Sequence, residues 1–182
     1  MKDMPAVLLL CGFSGSGKTE TGKILAEQIG YEFVDTDKVV EDHFGKTIPE
    51  IFMQLGEGKF RFAESDVVRM AAKQSKIVIA LGGGTMGDEH AVAYLKSCGH
   101  LIYLKVSPET VYERLQDSDM RPMLKALSGT KGDEKEAAMS RIKSLLETRT
   151  PFYLEADDTI DTDSKTPTEV AEEIRDSLSR DG

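Results

Sequence analysis

The sequence predicts an α/β fold with a mostly parallel sheet. Short apolar runs alternate with longer segments of helical period. Acidic or glycine-rich residues follow three of the apolar runs, at Gly12, at Asp35 and Asp37, and at Gly82. In open parallel sheets ligands bind outside the C-terminal ends of the strands, so these residues are expected to share one edge.

The elements follow in chain order. Residues 6–11 are uninterrupted apolar positions, as a buried strand requires, and they lead into glycines. A helical period then carries Ile24, Leu25 and Ile29, and a second strand is predicted over 32–34. The segment around Lys38 and Glu41 reads as helix, as does the stretch around Arg61, where Phe60, Ala63, Val67 and Ala71 share a face. Strands are predicted at 77–81, 100–105 and 158–160. Met139, Ile142, Leu145, Leu146, Phe152 and Tyr153 form an apolar helical stripe, which Pro151 is expected to kink or restart. Residues 117–136 are rich in charge, contain two glycines and a proline, and hold no convincing strand, so a lid or long loop is expected there.

At 182 residues with 40% hydrophobic residues, the chain suffices for one sizeable core and reads as a single domain, 1–182. Its formal net charge of -9 opposes duplex nucleic acid and anionic membrane surfaces as partners. The run 6–11 is too short to cross a bilayer or to serve as a signal core, and the chain reads as cytoplasmic. Cys11 and Cys98 form neither a disulfide framework nor a metal-ligand spacing and are expected to be buried thiols.

The strongest motif is GFSGSGKT at 12–19, which fits G-x-x-x-x-G-K-[ST] between a strand and a helix. Gly12, Ser14, Gly15, Ser16 and Gly17 form a loop whose backbone N–H groups can approach phosphate oxygens closely. Lys18 would reach the β and γ phosphates, and Thr19 would coordinate Mg²⁺. ATP or GTP binding follows. Two stretches resemble GTPase motifs, DHFG at 42–45 and TKGD at 130–133, but the first lies in a helical segment and the second in the charged segment instead of after a buried strand.

On the acceptor side, Asp35 and Asp37 end the second strand. Asp35 could hold the metal and Asp37 could take a hydroxyl proton, while capping of the next helix is an alternative for Asp35 or Thr36. Arg61 has Glu57 and Glu64 at helical spacing, so surface ion pairing and ligand binding both remain open for it. Arg149 lies on the apolar stripe, where an inward cation needs an anionic partner such as a bound carboxylate. Gly82, Gly83 and Gly84 would let a ligand lie against bare backbone, and Arg121 could close from the lid over a transferring phosphoryl group. His43, His90 and His100 show no ligand spacing, and the acidic residues 157–163 read as a strand edge and loop. Phe52 and Phe60 are assigned to the core or a pocket wall.

Taken together, GFSGSGKT, FVDTDKVVE, IPEIF with GEGKFRFAE, ALGGGT, RPML, ETRTPFYLEAD and TPTEV, in this order over nearly the whole chain, resemble the shikimate kinase family. The resemblance implies a three-layer P-loop kinase fold, a five-stranded parallel sheet flanked by helices, with a substrate-binding helical region at about 36–74 and a lid at about 117–136. It implies transfer of the γ-phosphoryl group of ATP to the 3-hydroxyl of shikimate, on the route to chorismate and the aromatic amino acids, by a monomer.

It further implies that Asp37, Arg61, Gly83, Gly84 and Arg149 hold shikimate, with both arginines on its carboxylate. Thr19 and Asp35 would position Mg²⁺, Arg121 would close from the lid, and Arg114, Lys165 and Pro167 would flank the adenine. Thr19 replaces the family's commoner serine, Leu81 stands where threonine is frequent, and the segment after RPML is long. A kinase for another polyol, such as gluconate, would not need the two arginines, and a nucleotide-binding module without transferase activity could dispense with Asp37 and Arg121.

Overall fold

The computed structural model describes residues 4–116 and 134–180. The five strands are β1 (Val7–Cys11), β2 (Glu32–Asp35), β3 (Ile77–Ala80), β4 (His100–Lys105) and β5 (Asp158–Asp161), in the all-parallel order β2-β3-β1-β4-β5. Each expected strand is present, with shifts at the ends: Ala6 and Leu81 fall outside β1 and β3, and Asp35 closes β2. The helices are α1 (Lys18–Ile29), α2 (Thr36–Phe44), α3 (Ile48–Leu55), α4 (Glu57–Ala71), α5 (Glu89–Cys98), α6 (Pro108–Gln116), α7 (Glu134–Tyr153) and α8 (Pro167–Arg180). The lid region about 117–136 overlaps the described residues only at the start of α7; Arg121 and the TKGD stretch lie outside them.

Central β1 is buried throughout because side chains leave a strand alternately to both faces and both faces are covered. On one face Val7, Leu9 and Cys11 join Ile77, Ile79, Leu101 and Tyr103 under α4 to α7. On the other, Leu8, Leu10, Val78, Ile102 and Leu104 meet Leu25 and Ala26 of α1 and Val170, Ala171 and Ile174 of α8. Burying each such leucine contributes roughly 1.5–3 kcal/mol. Helices α2 to α4 add a small core of Val40, Ile51 and Phe60, so the segment about 36–74 packs partly on itself.

Helix starts follow side-chain chemistry. Asp35 accepts from the Lys38 N–H, Glu50 from both the N–H and the hydroxyl of Thr47, Asp88 from the Ala91 N–H, and Glu169 from Thr166. Residues 42–45 fall in α2 and its C-cap Gly45, which removes the GTPase-like reading of DHFG. Pro151 sits within α7, which continues to Tyr153, so of the two expected outcomes, a kink or a restart, the restart does not occur. In α4 the buried face is Phe60, Glu64, Val68 and Ala71, a stripe rotated from the expected one and running through a carboxylate. Cys11 is buried and its thiol is pushed up to about 12 by desolvation, whereas Cys98, expected to be buried, is partly exposed. His100 is less ordinary than expected, since its Nε2 pairs with Asp158 Oδ2 at 2.6 Å and ties β4 to β5.

Candidate active site

The phosphate-loop residues leave β1 at the sheet's C-terminal edge. Gly12 (φ 143°) and Gly17 (φ 90°) adopt conformations that side-chain-bearing residues rarely reach, and a Cβ on Gly12 would lie 2.6 Å from Leu104 O. Lys18 opens α1 and is buried, with Nζ donating to Gly12 O at 2.8 Å and Phe13 O at 3.0 Å. Burial lowers its pKa, and the Asp37 and Asp35 carboxylates oppose that shift. The Ser16 hydroxyl is buried with no hydrogen-bond partner among the described residues, and it lies inside the loop. Arg114 of α6 spans to the turn after β5, donating to Gly15 O at 3.0 Å and Thr162 O at 2.6 Å. Lys165 and Pro167 belong to that turn and the start of α8; Lys165 Nζ meets Glu173 Oε2 at 2.6 Å.

The acceptor side adjoins it. Thr19 Oγ1 donates to Asp35 Oδ2 at 2.6 Å while the other Asp35 oxygen caps α2, so the capping alternative for Asp35 holds and its second oxygen faces the Thr19 hydroxyl. Thr36 is buried and accepts from Gly82 N at 3.0 Å, which pins the start of α2 to the end of β3. Asp37 lies in the same corner. Burial pushes its pKa up to about 6, with Glu64 and Asp35 adding to the shift and Lys18 opposing it.

Four side chains crowd the three glycines after β3. Added Cβ atoms would meet Asp37 Oδ1 at 2.5 Å and the Glu64 carboxylate from Gly82, Ser14 Oγ at 2.8 Å from Gly83, and Arg61 Nη2 at 2.6 Å from Gly84. Arg61 Nη1 donates to Glu64 Oε2 at 2.8 Å, and its Nη2 meets Glu57 Oε1 at 3.3 Å. Arg149 comes from α7, its Nη1 donating to Gly83 O at 2.9 Å and its guanidinium lying 5.5 Å from the Phe13 ring centroid. The described residues thus place one buried ammonium (Lys18), three carboxylates (Asp35, Asp37 and Glu64) and two guanidiniums (Arg61 and Arg149) around the loops that follow β1, β2 and β3.

The family described as shikimate kinase matches residues 14–179. The chain belongs to the shikimate kinase family. A curated protein named shikimate kinase from Thermodesulfovibrio yellowstonii is 39% identical over 167 residues, covering 92% of this chain and 91% of that one. The crystal structure of shikimate kinase from Bacteroides thetaiotaomicron has a TM-score of 0.85 at 28% identity, covering 96% of this chain and 99% of that one. Shikimate kinase from Acinetobacter baumannii, solved in complex with shikimate, has a TM-score of 0.84 at 31% identity over 97% of this chain and 94% of that one.

For this shikimate kinase family member, the residues singled out in the sequence separate into two groups. Gly12, Ser14, Gly15, Ser16, Gly17, Lys18 and Thr19 adjoin Asp35, Asp37, Gly83, Gly84, Arg61 and Arg149, whereas Arg114, Lys165 and Pro167 lie toward the turn between β5 and α8. Phe60 is buried and Phe52 is half-exposed, the two rings meeting edge to face at 4.9 Å.

Sequence reasoning missed Glu64, Thr85 and Tyr153 as parts of this corner. Glu64 is 2% exposed, and Phe60, Val68 and Ala71 at helical spacing around it could have signalled that. Tyr153 was assigned to the apolar stripe, yet its hydroxyl donates to Gly83 O at 2.7 Å beside Arg149. No periodicity announces Thr85.

Proposed function

We propose that this protein transfers the γ-phosphoryl group of ATP to the 3-hydroxyl of shikimate, giving ADP and shikimate 3-phosphate on the route to aromatic amino acids. The observation that carries this reading is the convergence of Asp37, Arg61 and Arg149 on the glycines 82–84, with Lys18 in the phosphate loop beside them. Membership of the family and likeness to a structure solved with shikimate support the acceptor.

The roles follow from chemistry. Asp37 takes the 3-hydroxyl proton as that oxygen bonds to the γ-phosphorus and the bond from phosphorus to the bridging oxygen of ADP breaks. Lys18 leaves the two loop carbonyls for the phosphate oxygens, with the N–H groups of Gly12, Ser14, Gly15, Ser16 and Gly17 around it. Arg121, which lies outside the described residues, is assigned to neutralising charge on the transferring group, and Arg114, Lys165 and Pro167 to flanking the adenine.

Thr19 and Asp35 would hold Mg²⁺. A hydroxyl and one carboxylate suit an ion that keeps several waters and takes its remaining ligands from phosphates. The ion would supply neutralisation of the phosphate charge. The reading places the enzyme in the cytoplasm as a monomer without nucleic-acid or membrane partners; among the described residues no helix is long and apolar enough to cross a membrane.

Coupled measurement of ADP release, with shikimate, quinate, gluconate, a nucleoside monophosphate and no acceptor in parallel, tests this. Turnover with shikimate alone is expected, and turnover with gluconate instead would reassign the site. Arg61→Ala and Arg149→Ala are each expected to weaken shikimate binding by roughly 1.5–3 kcal/mol, the range for a charged hydrogen-bond partner. Tyr153 still holds Gly83 O in the second variant, so the loop should stay in place. Shikimate titrations that match the parent protein would remove the carboxylate clamp.

A further inference from the structure

Arg61 is aimed by its neighbours, and the buried one among them is Glu64. Glu57, its other partner, is 66% exposed, whereas the Glu64 side chain is 2% exposed. A carboxylate taken out of water needs donors on both oxygens. Oε2 accepts from Arg61 Nη1 at 2.8 Å, and Oε1 accepts from Thr85 Oγ1 at 2.5 Å. Thr85 lies just after the three glycines, and its hydroxyl is also 2.9 Å from Gly82 O.

Arg61 and Glu64 share α4, so their pairing alone says nothing of where either sits relative to the glycine loop. The Thr85 hydroxyl crosses from that loop to α4, and it meets Glu64 where the carboxylate presses on Gly82. We propose that Thr85 is a positioning residue for the acceptor: its hydroxyl holds Glu64 against the glycine loop and thereby sets the direction of the Arg61 guanidinium. This rests on the reading of Arg61 as a carboxylate ligand in the proposed reaction. Thr85 itself touches no reacting atom.

Thr85→Val keeps the shape and removes the donor. In steady-state assays with both substrates varied, it is expected to raise the shikimate KM roughly five- to twentyfold, somewhat less than the loss of a direct charged hydrogen bond. kcat and the ATP KM should stay within about twofold, the ordinary scatter of a variant that leaves the transition state alone. Thr85→Ser should restore the parent value, and Thr85→Val should have no further effect on shikimate in an Arg61→Ala background.

An unchanged shikimate KM, parallel changes for shikimate and ATP, failure of serine to restore, or additivity with Arg61→Ala would each overturn the proposal. Should Thr85→Val not fold by circular dichroism, Thr85→Ala is measured in the same way. Absence of shikimate turnover in the parent protein would overturn the reaction and this role together, whereas normal parent turnover with an unaffected Thr85→Val overturns only the role of Thr85.

Discussion

Asp37→Asn is expected to lower kcat by on the order of 10³ while making the folded protein more stable at neutral pH. Both effects have one origin. Asp37 is held in a corner where burial raises its pKa to about 6 and the Glu64 and Asp35 carboxylates add to the shift, with Lys18 in partial opposition. A folded-state value above the ordinary 3.9 or so means that the protonated form is favoured by folding. That favourable contribution is fully present below about pH 3.9 and is lost as pH rises through 6.

At pH 7.5 the ionised carboxylate therefore costs the fold up to about 3 kcal/mol, and asparagine removes that cost. Denaturant unfolding of the two proteins should show the variant ahead at pH 7.5 and the gap closing toward pH 4. Activity gives the complementary reading. Only ionised Asp37 can accept the proton, so kcat/KM should fall about tenfold per pH unit on the acid side of an apparent pKa near 6. An acid limb near 4, together with no gain in stability, would contradict this account of the corner.

Lys18→Met is the second large effect, with kcat expected to fall by on the order of 10² to 10³ and ATP binding to weaken. The ammonium is buried within the phosphate loop, where two backbone carbonyls hold it until it moves to the phosphate oxygens, so the positive charge is already at the site when nucleotide binds. Methionine preserves much of the packing but leaves Gly12 O without this donor. Arginine should not restore activity, because a planar guanidinium does not fit the space of a compact ammonium. Steady-state rates with a nucleotide titration check both variants, and a kcat within tenfold of the parent would take Lys18 out of the mechanism.

Much of this site was legible in one dimension, for identifiable reasons. The phosphate loop announces itself because close backbone approach needs glycine at set intervals, and a strand before it and a helix after it follow from hydrophobic period. Asp35 and Asp37 were readable because they follow a strand's apolar residues, Asp35 closing β2 and Asp37 opening α2, and parallel strands bring their C-terminal ends to one edge. β1, β3 and β4 were readable as apolar runs, whereas β5 holds Ile160 alone among polar residues, and Asp35 in β2 and Leu81 beyond β3 show that pairing with neighbours sets the ends.

Other features depended on packing across the chain. Glu64 was read as a surface ion-pair partner of Arg61 because i to i+3 spacing is the same on an exposed and a buried face. Only the way α4 lies against β3 and the glycine loop decides which side of that helix is dry. Gly82, Gly83 and Gly84 suggested an open backbone, but the side chains that crowd a Cβ there come from three other segments: Asp37 from α2, Arg61 and Glu64 from α4, and Ser14 from the phosphate loop. Arg149 was expected to face inward, yet its contacts with Gly83 and Phe13 exist only because α7 returns across the end of the sheet.

By itself, then, the sequence determined the strands, the phosphate loop and the residues able to carry charge, since these rest on local period and on conformations that single residues permit. The tertiary structure alone decided which carboxylates lose water, which pKa values move, and where Arg61 and Arg149 are aimed. Burial and hydrogen-bond direction are relations between segments far apart in the chain, as the Thr85 and Glu64 pair illustrates.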